Sequence, residues 1–145
     1  MLRQFVWGAA VNVCIIMIHA LVMAIVVQVA QKTSTTAILN RSLLLPGVMI
    51  ATVSDLTAAH AAEVMVWAAA YALVDAAPPG SDLVYFAFVN YTTHGYGDVV
   101  PVKRWQLLGP MTAMSGVLMF GWSTAVIFEV LRRAMASQGP APVPD

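Results

Sequence analysis

Of the 145 residues, 60% are hydrophobic, and seven Lys/Arg balance seven Asp/Glu to give zero net charge. A soluble domain carries about 25% charged residues. This charge-poor composition, with a mean hydropathy of +0.79, argues against a soluble enzyme, and the absence of excess basic charge argues against a nucleic-acid partner. The chain reads as a small all-α integral membrane protein set in a lipid bilayer. Cys14 is the lone cysteine, so no intrachain disulfide and no Cys-based metal site can form.

Residues 5–30 contain no Asp, Glu, Lys or Arg. As a helix they would reach about 39 Å at about 1.5 Å per residue, which crosses a hydrocarbon core of about 30 Å with tilt. The stretch is too long for the apolar part of a signal peptide and only Arg3 precedes it, so it is expected to remain as an extra N-terminal span. Residues 31–42 are polar and rich in Ser and Thr and read as a short cytoplasmic loop, so the first unit is 1–42. A second span is expected over 43–76, with Pro46 in its first turn and Pro78-Pro79-Gly80 closing it. It is Ala-rich yet carries Asp55, His60 and Glu63.

Residues 81–92 are apolar and aromatic but supply only half a membrane of helix, started by Ser81 or Asp82. Residues 93–98 are not helical sequence. Half a helix followed by irregular backbone is tolerated at membrane depth only where it is buried or lines an aqueous cavity. The segment therefore reads as re-entrant. The third span is expected over 105–133, and the Pro-rich tail 134–145 as disordered. Three spans place the termini on opposite sides. With the tail cytoplasmic, Lys32, Arg41, Arg132 and Arg133 lie inside and Arg3, Lys103 and Arg104 outside, a weak positive-inside bias. Trp7, Tyr71 and Trp105 would share the outer interface. This gives a multi-pass protein of the cell (inner) membrane with its N-terminus outside.

The chemistry lies in Thr92-Thr93-His94-Gly95-Tyr96-Gly97-Asp98. A pore that strips water from a cation must replace hydration oxygens with fixed ones. Backbone carbonyls can do so if successive ones face one side, which requires alternating backbone handedness, and glycine supplies that cheaply. The carbonyls of Thr93, His94, Gly95 and Tyr96 could line such a file, with the Thr93 hydroxyl at its inner end. The side chains of His94 and Tyr96 would point into the wall. The C-terminal end of the preceding half-helix, partly negative, favours a cation in front of it.

This TxGYGD segment, after a short aromatic helix and before a Gly-containing apolar helix, resembles the pore domain of potassium channels. The similarity spans about residues 43–131, and the chain is also similar to small bacterial ion-channel-domain proteins with one extra helix ahead of the pore unit. The resemblance implies a homotetrameric pore for monovalent cations. In it the outer helix is 43–76, the pore helix 81–92, the selectivity filter 93–98 and the inner helix 105–133. It implies potassium ions held at Thr93, His94, Gly95 and Tyr96, with Gly97 completing the filter and Asp98 at the pore mouth. Tyr85, Phe86, Asn90 and Thr92 would support the filter, and Gly116 or Gly121 would be the inner-helix hinge. No cofactor beyond permeant potassium is implied. One departure is His94, where the family usually has an apolar residue. Its ring would need a hydrogen-bond partner behind the filter, with Asn90, Tyr85 or a neighbouring subunit as candidates. It could stiffen the filter, make it pH-sensitive, or relax its selectivity.

Counted from their helix ends, His19, His60 and Glu63 fall at one level near mid-membrane, and His60 and Glu63 share a helix face at i,i+3. A carboxylate there demands a partner. The three read as an interhelix clamp, with a proton or metal site as the alternative and a non-conducting membrane sensor as the corresponding rival function. Glu129 stands three and four residues before Arg132 and Arg133, as expected of a pair at the inner membrane edge. No helix carries Arg or Lys at every third position, so no voltage sensor is present.

Overall fold

The computed structural model describes residues 1–35 and 41–136, and these are helical with no strand among them. The order is α1 (Leu2–Thr35), α2 (Arg41–Val74), α3 (Leu83–Tyr91), a 3-10 turn (Lys103–Trp105) and α4 (Leu108–Ala136). Three stretches, Leu2–Val29, Leu45–Val74 and Lys103–Ala136, are long and apolar enough to cross a membrane. The nine residues of α3 reach only about 14 Å, less than half a bilayer.

Several boundaries differ from expectation for local reasons. Residues 31–42 are not wholly loop, since α1 runs on to Thr35 and α2 starts at Arg41. Polar composition alone does not end a helix, and no Gly or Pro interrupts this stretch. Residues 36–40 of the expected loop lie outside the described residues. The early start of α2 moves Pro46 out of the first turn and into the helix body, where its missing N–H leaves the ladder one bond short. The third span begins with the 3-10 turn and enters α4 only at Leu108. It ends at Ala136, so 134–136 of the expected tail are helical, and 137–145 lie outside the described residues.

Helix α1 packs on α2 and α4, and α3 is wedged between α2 and α4. Two apolar cores result. One, nearer the N-terminal end of α1 and labelled the outer core, gathers Ile15, Trp67, Tyr71, Phe86, Tyr91 and Leu108; the other, labelled the inner core, gathers Met23, Val26, Leu56, Val126 and Val130. Between them, by position on every long helix, sits a polar layer containing His19, Glu63 and Ser123. Most of the outward surface of the spans is apolar, as lipid or a second chain requires.

At the outer end, Arg3 lies 4.6 Å above the Trp105 ring, and Gln4 Oε1 accepts the Leu107 amide at 3.0 Å. Trp105 is buried in the adjoining apolar core. Tyr71 is likewise buried, with its ring 4.8 Å from that of Phe86. Its hydroxyl lies 2.6 Å from Thr112 Oγ1. The Thr112 proton goes to the Leu108 carbonyl, so Tyr71 is the donor. Tyr71→Phe is therefore expected to cost about 1 kcal/mol, the net worth of one neutral hydrogen bond, measured as a lower denaturation free energy with unchanged helix content.

Candidate ion pathway and buried polar cluster

Asp82 caps α3, accepting the amides of Val84 and Tyr85 at 3.0 Å each. The other end of α3 is closed by two backbone bonds. The Thr93 amide donates to the Asn90 carbonyl at 2.9 Å, and the His94 amide to that of Val89 at 3.0 Å. This is a Schellman closure whose left-handed residue is Thr93, at φ +59°. Glycine usually stands there, and a β-branched residue in that conformation is strained by about 1–3 kcal/mol. Positive φ then recurs at Gly95 (+58°) and Gly97 (+79°). The backbone thus changes hand at every second residue from 93 to 97, the pattern that successive carbonyls need to face one way.

The ring centroids of His94 and Tyr96 are 4.1 Å apart, edge to face. Both line a groove of about 490 Å³ against Tyr85, Phe88 and Thr92 of the short helix and its cap. Neither expected partner within the chain reaches the His94 ring. Asn90 Nδ2 donates to the Phe86 carbonyl at 2.8 Å, satisfying its own helix, and the Tyr85 hydroxyl donates to Asp98 Oδ2 at 2.7 Å. Thr92 Oγ1 donates back to the Phe88 carbonyl at 2.8 Å. Phe86 faces away from the loop into the outer core.

The Tyr85 hydroxyl, and to a lesser degree the Val99 amide at 3.0 Å, hold the Asp98 carboxyl below the usual carboxylate range. A depressed carboxylate stabilises the fold above its ordinary pKa, and that contribution is lost as pH falls through the lower folded value. Tyr85→Phe is expected to move the Asp98 titration upward toward the ordinary range, read from its carboxyl ¹³C shift against pH.

The structure brings His19, His60 and Glu63 together. Glu63 Oε1 lies 2.6 Å from His19 Nδ1, and Oε2 lies 3.2 Å from His60 Nδ1. His19 and Glu63 are fully buried. Two further residues join them. Tyr91, the last residue of α3, donates its hydroxyl to Glu63 Oε2 and lies 3.0 Å from His60 Nδ1. Ser123 Oγ on α4 lies 3.0 Å from His60 Nε2 and 3.4 Å from His19 Nε2. All four helices contribute. Neither Tyr91 nor Ser123 was expected from the sequence, although counting depth along α4, as was done for α1 and α2, would have flagged a hydroxyl at that level.

Gly116 and Gly121 both lie within unbroken α4. Gly116 meets the end of α3, since a Cβ there would overlap the Tyr91 carbonyl oxygen, whereas nothing in the chain lies within 4 Å of one at Gly121. Glu129 pairs with Arg132 at 2.8 and 2.9 Å and also with Arg133. Asp55 is exposed on α2, beside a groove it shares with α1.

A family model described as ion channel matches residues 59–133, a little over half of the chain. No curated protein and no solved structure matches it. The matched stretch runs from the outer half of α2 through α3 and the 93–98 loop to the end of α4, and α1 lies outside it. The chain is thus a multi-pass membrane protein that belongs to the ion channel family, through a pore domain of the two-helix potassium-channel type.

Proposed function

We propose that the chain is a passive potassium channel, assembled from four copies because each supplies a single filter segment. The observation that carries this reading is the alternation of backbone hand at Thr93, Gly95 and Gly97, directly behind a half-length helix. Potassium would be dehydrated by the carbonyls of Thr93, His94, Gly95 and Tyr96, with Gly97 and Asp98 at the outer mouth. The strained Thr93 has a reason to be there in this reading. A glycine would close the helix more cheaply but would remove the hydroxyl oxygen at the inner end of the file. The protein is not an enzyme and needs no cofactor beyond the permeant ion. It sits in the cell membrane with its N-terminus outside.

Recording in planar bilayers under a potassium–sodium gradient tests this, with a reversal potential close to that of potassium as the expected result. A second reading, a cation channel of relaxed selectivity, is favoured by His94, whose ring rests on Tyr96 and is bonded to neither Asn90 nor Tyr85. Reversal near zero in wild type that moves to the potassium value in His94→Val would establish it. Absence of current in correctly assembled protein would overturn both.

A further inference from the structure

The buried cluster has more structure than an interhelix clamp needs. Both Nδ1 atoms, from His19 on α1 and His60 on α2, converge on the Glu63 carboxylate, and the Tyr91 oxygen stands beside His60 Nδ1. Both Nε2 atoms converge on the opposite side, on the single hydroxyl of Ser123. The donor atoms of His19, His60 and Glu63 lie within 4.8 Å of one another. We propose that this cluster is a transition-metal site taking zinc, with His19 Nδ1, His60 Nδ1, a Glu63 oxygen and the Tyr91 oxygen as its four ligands.

Two imidazole nitrogens and two oxygens suit zinc in tetrahedral coordination. Ligands about 2.0–2.2 Å from the ion are about 3.3 Å from each other. The spacings of 3.2 and 3.0 Å about His60 Nδ1 are close to this, whereas the His19–Glu63 and Tyr91–Glu63 contacts must lengthen as an ion enters. Ser123 then has a definite task. Metal-bound histidines donate their other ring N–H to an acceptor, which fixes tautomer and ring orientation. Ser123 Oγ has two lone pairs and stands within reach of both Nε2 atoms, so it holds both rings with Nδ1 bare and facing inward.

The proton balance separates the two states. Without metal, all six contacts are hydrogen bonds only if the histidines share three ring protons. One sits on each Nδ1 and one on a single Nε2, while the Ser123 proton serves the other Nε2. With zinc, the rings keep one proton each, both on Nε2, and Tyr91 ligates as phenolate. Two protons therefore leave for each zinc bound. The ion's two positive charges meet the Glu63 and Tyr91 anions, so the layer stays neutral between two apolar cores, where net charge is expensive. Entry is by way of His60, whose side chain is 16% exposed and lines a groove of about 260 Å³ with Thr57, Phe88 and Phe120. An occupied site ties α1, α2 and α4 to the last residue of α3, two positions before Thr93.

Equilibrium dialysis of the purified full-length protein in detergent against buffered zinc, followed by metal analysis, tests the site without measuring current. Its failure leaves the channel reading intact, and a non-conducting protein that holds zinc leaves this one intact. About one zinc per chain is expected. His60→Ala should abolish binding. Ser123→Ala, which removes only a hydroxyl, should weaken it about 10–100-fold. Cys14→Ser should leave it unchanged. Wild-type protein that retains no zinc, or an affinity indifferent to Ser123→Ala, would overturn the proposal.

Discussion

Glu63→Ala is expected to cost about 3–5 kcal/mol of stability, the usual penalty for removing one partner of a buried charged pair. The magnitude follows from what is left behind. His19 Nδ1 and the Tyr91 hydroxyl, both buried, lose their acceptor together, and the half-buried His60 Nδ1 loses one of its two partners. Each unsatisfied polar group costs about 1–3 kcal/mol. Denaturation of the purified protein in detergent measures this. His19→Ala combined with Glu63→Ala should cost clearly less than the sum of the two, because both act on one network. Strict additivity would show that the contacts are not coupled. Glu63→Gln keeps the volume and one acceptor oxygen and should fall between wild type and Ala.

The second large effect is expected at Gly116. An added Cβ would overlap the Tyr91 carbonyl oxygen and lie 2.9 Å from its carbonyl carbon. Both are backbone atoms, so no rotamer change relieves the contact. Overpacking of this kind costs about 1–3 kcal/mol and sometimes more. Here α3 or α4 must move, and α3 carries the 93–98 loop. Gly116→Ala is thus expected to lower stability by at least about 2 kcal/mol and to reduce conduction, read by denaturation and bilayer recording on one preparation. Gly121→Ala meets nothing within 4 Å in the chain and should be neutral or stabilising by up to about 1 kcal/mol, as an exposed helical Gly→Ala is. If the two variants behave alike, the close approach at Gly116 does not hold.

The membrane class and the three long helices were legible because each rests on one strong signal, uninterrupted apolar length. The half-helix with its loop was legible because irregular backbone has few permitted places in a bilayer. Boundaries were less so. Nothing in residues 31–35 breaks a helix, and the choice between Ser81 and Asp82 as cap depends on side-chain geometry that only the fold supplies. The level shared by His19, His60 and Glu63 could be counted along helices. Tyr91 could not be added, because the register of α3 against α2 depends on how closely Gly116 lets α3 approach α4. The side-chain partners of His94 were misjudged for a related reason. Asn90 is claimed by its own helix and Tyr85 by Asp98, and sequence distance does not rank such rivals.

The polar layer also implies an order of biosynthesis. Its hydrogen-bonded residues are separated by 44 positions between His19 and Glu63, 28 between Glu63 and Tyr91, and 104 between His19 and Ser123. As the chain leaves the ribosome, α1 and α2 can pair through His19 and Glu63 as soon as the first hairpin is in the bilayer. Tyr91 arrives next, and Ser123 only when about half of the last helix is made. Until then His60 Nε2 faces an open seam. The nascent protein therefore carries a polar notch that Ser123 of α4 fills last. A truncated chain ending before Ser123 would expose that notch, a ready mark for membrane quality control.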